Sequence, residues 1–424
     1  MSLHPNIPRL YLIKIAKWLM LYMPIVVYFY ESNGLSMKEI MVLQAVCSVV
    51  IVVLEIPSGY LADVWGRKRT LILGSIMGVI GFLIYGVSYG FTGFMIAEII
   101  LGIGQSCVSG ADSAMLYDSL LERGKEREYK KMEGRISSLG NLAEAAASLV
   151  ALFLITLYLK AIHFNNPIED ARFMVPEVLR IPYYAQVLVA AIAVPAALSL
   201  REPARHKKLL NSSFREIVDI SVFALTGNKM LRRNILFSAF TGCATLTMAW
   251  FAQKFFKENG IDNLQVVVLL WAALNITVAI ASFSAYRIEP KLGAGGSILL
   301  ITLSIPLAYI LMSFSGLVWG LVILFSFYLV RGFATPILKD YINRITDSEI
   351  RATVLSVRNF IIRINFAIAG PLMGWATDVY SLSTALLLGG VIFFILNLIA
   401  GILFIASRSM MNEPVHYISR TRPS

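Results

Sequence analysis

Histidine is scarce in this chain, and none of it falls in an apolar stretch: His4, His163, His206 and His416 lie near the ends or in polar intervals of the 424 residues. Any proton relay inside an apolar segment must therefore use carboxylates. Cysteine is scarcer still. Cys47, Cys107 and Cys243 sit in apolar runs, where small thiols pack as hydrophobes, and no disulfide framework or metal-ligand spacing can be built from them. The sequence offers no metal cluster and no paired nucleophile and base near one interface, so an enzyme is not expected, nor is any cofactor. A G-x-x-x-x-G-K-[ST] loop is missing as well, which sets ATP hydrolysis aside as an energy source. Charge is the third shortage, at 15% of residues.

What is present in excess is apolar surface. With 57% hydrophobic residues and a mean hydropathy of +0.71, the chain has more of it than the cores of a soluble protein this size can bury, so lipid must solvate the remainder. About twelve apolar segments of roughly 20 residues can be marked off, each long enough to cross about 30 Å of hydrocarbon. The first, near 9–31, contains Lys14 and Lys17 and is too long for a cleaved signal, so it is expected to insert as the first helix; the last lies near 382–406. The net charge of +11 is unevenly placed. Arg67 to Arg69, Arg123, Lys130, Lys131, Arg201, Arg205, Arg232, Arg233, Arg287, Arg344 and Arg351 fall on one side of the expected membrane, while the opposite connections hold few cations. By the positive-inside rule both termini are expected to be cytoplasmic, in a plasma (inner) membrane protein. A nucleic-acid surface would need aromatic residues interleaved with cations on a soluble basic face, and no such domain exists.

The longest polar interval divides the chain. Residues 1–200 are expected to form one six-helix bundle, 201–231 a cytoplasmic linker, 232–407 a second bundle and 408–424 a tail. Within the linker Phe214, Ile217, Val218, Ser221 and Leu225 recur at helical spacing, which suggests a short amphipathic helix at the interface. The halves share traces of duplication. Asp118 precedes Arg135 by 17 residues, and Asp340 precedes Arg358 by 18.

One short segment carries the most specific signal. Gly59-Tyr-Leu-Ala-Asp63-Val-Trp-Gly66-Arg67-Lys68-Arg69 lies between two apolar stretches, so glycines and charges crowd a turn too short to be a domain. This pattern resembles the G-x-L-a-D-x-x-G-r-k signature between the second and third helices of the major facilitator superfamily. The resemblance implies an all-α integral membrane fold of about twelve helices in two six-helix bundles related by a pseudo-two-fold axis. It further implies a gating motif: Gly59 for close helix packing, Asp63 to latch a helix end of the other half, Gly66 for the turn, and Arg67 reaching the acid on the fourth helix, for which Asp118 fits. Val64 stands where the family usually has a cation. The second copy of the motif is reduced to Arg287-Ile-Glu289-Pro-Lys291-Leu-Gly293.

Ionisable residues inside apolar spans mark a wet pathway or a protein interior, because a charge facing lipid is expensive. The third, sixth, ninth and twelfth segments contain none, whereas the first, second, fourth, fifth, tenth and eleventh contain Lys14, Lys17, Glu55, Glu98, Asp112, Asp118, Glu144, Arg331, Lys339, Asp340, Arg358 and Arg363. That distribution matches the facilitator fold, whose third helix in each three-helix repeat is peripheral. A carboxylate in a low-dielectric span favours its protonated form, the usual route to proton coupling, and Glu55, Asp112 and Glu144 are the coupling candidates. Glu144, Arg331 and Arg363 are candidates to line the substrate cavity. Asn275, Gln186 and Asn397 read as interhelical hydrogen-bonding residues. The expected partners are a small-molecule substrate, protons and the lipid bilayer, with the chain monomeric. Proton-coupled export of an amphipathic organic molecule by alternating access is the leading expectation. Uptake or facilitated passage of an organic anion is the first alternative, and a receptor or assembly subunit that no longer transports is the second.

Overall fold

The computed structural model describes residues 5–125, 128–162, 176–202, 219–346 and 350–407. Its regular elements are helices, as the solvent requires: backbone in hydrocarbon must satisfy its own N–H and C=O groups, and a helix does so within one segment. They are α1 (Asn6–Trp18), α2 (Val26–Ser32), α3 (Met37–Trp65), α4 (Arg67–Val87), α5 (Gly90–Leu121), α6 (Tyr129–Ile162), α7 (Pro176–Leu198), α8 (Lys229–Glu258), α9 (Leu264–Ser313), α10 (Leu317–Ile345), α11 (Arg351–Val379) and α12 (Leu382–Ile405). Among the described residues ten helical stretches are long and apolar enough to span a membrane, with α1 and α2 counting as one. At about 1.5 Å per residue the 50 residues of α9 extend about 75 Å, more than twice the hydrocarbon thickness, and the helix breaks at Gly293, whose φ is 68°. Helix α6 carries a shorter apolar stretch, Ala146–Tyr158.

The chain forms two compact units, Met1–Leu210 with Gln253–Asn275 and Asn211–Ala252 with Ile276–Ser424, so α8 passes from the second unit into the first at its last turns. Of the expected linker helix, Phe214, Ile217 and Val218 lie outside the described residues, as does the tail 408–424. Ser221 and Leu225 are half-buried, while Ile220 and Ala224 enter a core with Leu231, Ile235, Ile342 and Val354.

In the first unit, local chemistry sets the helix ends. Ser36 accepts from the Glu39 amide at 3.3 Å and Glu39 accepts from the Ser36 amide at 2.9 Å, a reciprocal cap that starts α3. Gly66, at φ 120°, turns the chain from α3 into α4 in one residue. Helices α4 and α5 then approach closely, since a Cβ on Gly74 would stand 2.9 Å from the Gly104 carbonyl and one on Gly104 3.0 Å from the Gly74 carbonyl.

The break between α1 and α2 exposes backbone groups that a continuous helix would pair internally. Two buried glutamines satisfy them. Gln186 of α7 accepts from the Leu21 amide at 2.8 Å, and Gln253 of α8 accepts from the Val27 amide at 3.0 Å while donating to the Met23 carbonyl at 2.7 Å. Beside this patch both oxygens of Glu31 are engaged, one by Lys254 at 2.8 Å and the other by Lys257 at 2.7 Å.

Candidate functional site

The loop motif sits in a network that ties together the helix ends of the first unit. Arg67 pairs with Asp118 on α5 and donates to the Ala114 carbonyl at 2.6 Å. Glu202, just past α7, accepts from the Arg67 and Lys68 amides at 2.9 and 2.8 Å, which places a carboxylate on the orphan N–H groups that open α4. Asn6, fully buried at the start of α1, donates to Ser119 at 2.9 Å and exchanges hydrogen bonds with the backbone of Arg201. The ends of five helices, α1, α3, α4, α5 and α7, thus meet near Gly66. Asp63 lies on the exposed face of the last turn of α3. At Gly59, on the same helix, a Cβ would meet nothing within 4 Å among the described residues.

Exchanging Arg67 for Gln or Asp118 for Asn should leave an inserted, folded protein that is less stable at this end. A charge-assisted contact of this kind is worth about 1.5–3 kcal/mol, and a double-mutant cycle read by thermal melting should recover a coupling of that size. Additive losses would show that the two side chains act independently.

The three predicted coupling carboxylates lie in different settings. Asp112, 3% exposed, is 2.7 Å from the Lys14 ammonium of α1 and also accepts from the Ser113 amide and hydroxyl. Its charge is already met by a cation. Glu55 is half-buried on α3, and Glu144 is half-buried on α6 within electrostatic reach of Tyr22. In the second unit the half-buried Arg331 rests its guanidinium 5.2 Å from the ring centre of Tyr328, and Arg363 is half-buried on α11. Gln186 bonds across helices, as does Asn397, which accepts from Thr241 at 2.8 Å; among the described residues Asn275 bonds to Trp271, one turn back on its own helix.

A fourth carboxylate has a different environment. Glu98 of α5, 6% exposed and about 12 Å from the helix end opposite Gly66, accepts from Tyr85 at 2.7 Å, Tyr30 at 3.1 Å and Gln44 at 2.5 Å. The Tyr30 and Tyr85 hydroxyls are themselves 2.7 Å apart, and Gln44 also donates to Tyr30 at 3.3 Å. Hydrogen counting distinguishes the two states of this carboxyl. The Cys47 thiol also bonds to Glu98 and brings its own hydrogen; the other five contacts need five, whereas two hydroxyls and one amide supply four. A proton on Glu98 supplies the fifth by reversing the Tyr30 contact, so that Glu98 donates to Tyr30 and the ring closes in one sense, Tyr30 to Tyr85 to Glu98 and back to Tyr30. Aromatic packing excludes water from this ring. Phe94 lies 5.5 Å from both Tyr30 and Tyr85, and Tyr183 lies 5.2 Å from Tyr85. The Arg180 guanidinium nearby is directed elsewhere, to the Gly86 carbonyl at 2.9 Å, the Asn33 side chain at 2.6 Å and the Tyr89 ring at 3.9 Å.

Sequence reasoning placed Glu98 among the charges of the fourth segment without singling it out. The available signal was the pair Tyr30 and Tyr85 in the first and third apolar spans, which spacing alone does not connect to Glu98. Lys14 and Asp112 are equally unlinked by spacing.

Among the described residues, ten helical stretches able to span a membrane, a glycine turn followed by an arginine paired with a carboxylate, and buried charges within apolar helices mark an integral membrane protein of the transporter class. Residues 16–370 match the family model described as Major Facilitator Superfamily, and the chain belongs to that family. Solved structures share its fold. The nucleoside transporter NupG superposes with a TM-score of 0.73 at 16% identity, over 96% of this chain and 99% of that one. A bacterial homologue of the human lysosomal transporter Spinster, inward-facing and unoccupied, gives 0.71 at 17% identity over 97% and 98%. A POT family transporter in complex with a thioalcohol-conjugated peptide gives 0.68 at 11% identity over 96% of each chain. No curated protein matches the chain by sequence.

Proposed function

We propose that this protein is a proton-coupled secondary transporter that moves a small organic molecule across a plasma (inner) membrane by alternating access, with both termini cytoplasmic. Glu98 carries the reading: a buried carboxyl, bonded by neutral donors and completed by one proton, is a site that can load and release that proton as water access changes. The coupling role therefore moves from Asp112, which Lys14 already neutralises, to Glu98. Support for the solute class comes from the fold neighbours, which include a nucleoside transporter and POT family transporters solved with a peptide conjugate and with 5-aminolevulinic acid. A second reading, an organic anion as solute, is favoured by Arg363, for which no ion pair is found among the described residues.

Proteoliposomes loaded with a pH-sensitive dye test the coupling. Uridine, a dipeptide, 5-aminolevulinic acid and benzoate are added in turn, and at least one should drive a proton flux absent from protein-free vesicles. The sign of the pH gradient that accumulates the radiolabelled solute assigns export or uptake. Solute equilibration without proton movement would remove the coupling, and no movement of any solute would point to a receptor-like role.

A further inference from the structure

The second unit holds a buried polar cluster that the coupling reading does not use. Arg358 of α11, 5% exposed, bonds through Nε to the Ser238 hydroxyl of α8 and through Nη1 to the neighbouring Asn359 at 3.1 Å. Both partners are neutral. One turn from Ser238 on the same helix, Asn234 is fully buried, and neither its amide nitrogen nor its oxygen has a hydrogen-bond partner. Lys339 of α10 is exposed at the edge of this cluster, near enough for the charge of Arg358 to act on it. No carboxylate pairs with Arg358 or Lys339 among the described residues. By residue count, Arg358, Asn234 and Lys339 all lie about 8–10 Å inside the ends of their helices.

A buried guanidinium met only by neutral groups, with an exposed ammonium near it, is short of negative charge, and a buried amide without partners costs free energy. One ligand relieves both conditions. An oxyanion accepts from the guanidinium fork, from the ammonium and from the Asn234 nitrogen, and it lies at the depth a lipid headgroup or an entering solute can reach. We propose that Arg358, Lys339 and Asn234 form an oxyanion-binding site in the second unit, taking a phosphate or carboxylate group. The site is independent of proton coupling and is tested by binding rather than by transport.

The full chain is purified into phosphatidylcholine nanodiscs and titrated with sodium phosphate at constant ionic strength, and separately placed in nanodiscs that include phosphatidylglycerol. Wild-type protein should be thermally stabilised by at least one of the two. Stabilisation by dissolved phosphate assigns a soluble anion, and stabilisation by phosphatidylglycerol alone assigns a lipid headgroup. Arg358→Gln should weaken the response at least about tenfold, and Lys339→Gln should weaken it severalfold. Asn234→Leu supplies a check that does not depend on Arg358→Gln folding. It should lower anion affinity while leaving the unliganded melting temperature unchanged or higher, since it removes an unpartnered buried amide. Failure of wild-type protein to respond to either anion would overturn the site, as would wild-type affinity in folded Arg358→Gln or in both Lys339→Gln and Asn234→Leu.

Discussion

Glu98→Gln should give a protein that folds, binds and exchanges solute but no longer accumulates it against a gradient. Glutamine keeps an acceptor for Tyr85 and supplies N–H donors in place of the carboxyl proton, so it mimics the loaded state and cannot leave it. Uphill transport should fall at least about tenfold while solute exchange persists, and the exchange should lose its dependence on pH. Tyr85→Phe removes one edge of the ring and leaves the carboxyl in place. It should shift the pH midpoint of transport without abolishing accumulation. Other titratable side chains at this site are Tyr22, Tyr30, Tyr183 and Cys47, which electrostatics link to Glu98 or to one another. Concentrative transport with a wild-type pH profile in Glu98→Gln would move the coupling group elsewhere, with Glu144 next because its charge reaches Tyr22.

The largest stability loss is expected at Gln253. Leucine at this position removes the acceptor for the Val27 amide and the donor for the Met23 carbonyl, leaving two backbone groups unpaired in a buried setting. Each costs about 1–3 kcal/mol, so Gln253→Leu should destabilise the protein by about 2–6 kcal/mol and lower its melting temperature by roughly 2–7 °C. Gln253→Glu restores only the acceptor and should fall between the two. Gln265→Ala is the internal comparison. It removes a single 3.3 Å contact to Thr156 and should cost less than about 1.5 kcal/mol. Equal melting temperatures for Gln253→Leu and wild type would show that water or another group repairs the helix break.

Those two residues also show where sequence reading succeeds and where it stops. The turn at Gly66 and the partnership of Arg67 with Asp118 were legible because the motif is local and dense in unusual residues. Apolar runs gave the spans for a similar reason, since hydrocarbon thickness fixes their length. Gln253 carried no such mark, because its partners are backbone groups more than 200 positions away. Glu202 caps α4 across 135 residues and lay in what read as a polar linker. Among the carboxylates, periodicity placed Asp112 and Glu98 alike on an apolar helix. Only the packing shows that one meets a lysine and the other meets two tyrosines and a glutamine.

The one-residue turns at Gly66 and Gly293 bear on mechanics. Helices α3 and α4 have no slack between them, and neither do the arms of α9 on either side of Gly293. A connection without spare chain cannot absorb displacement, so a tilt of one helix reaches its neighbour through a single pair of dihedral angles. Each jointed pair therefore moves together, and a tag inserted at either glycine adds play at the joint that couples them.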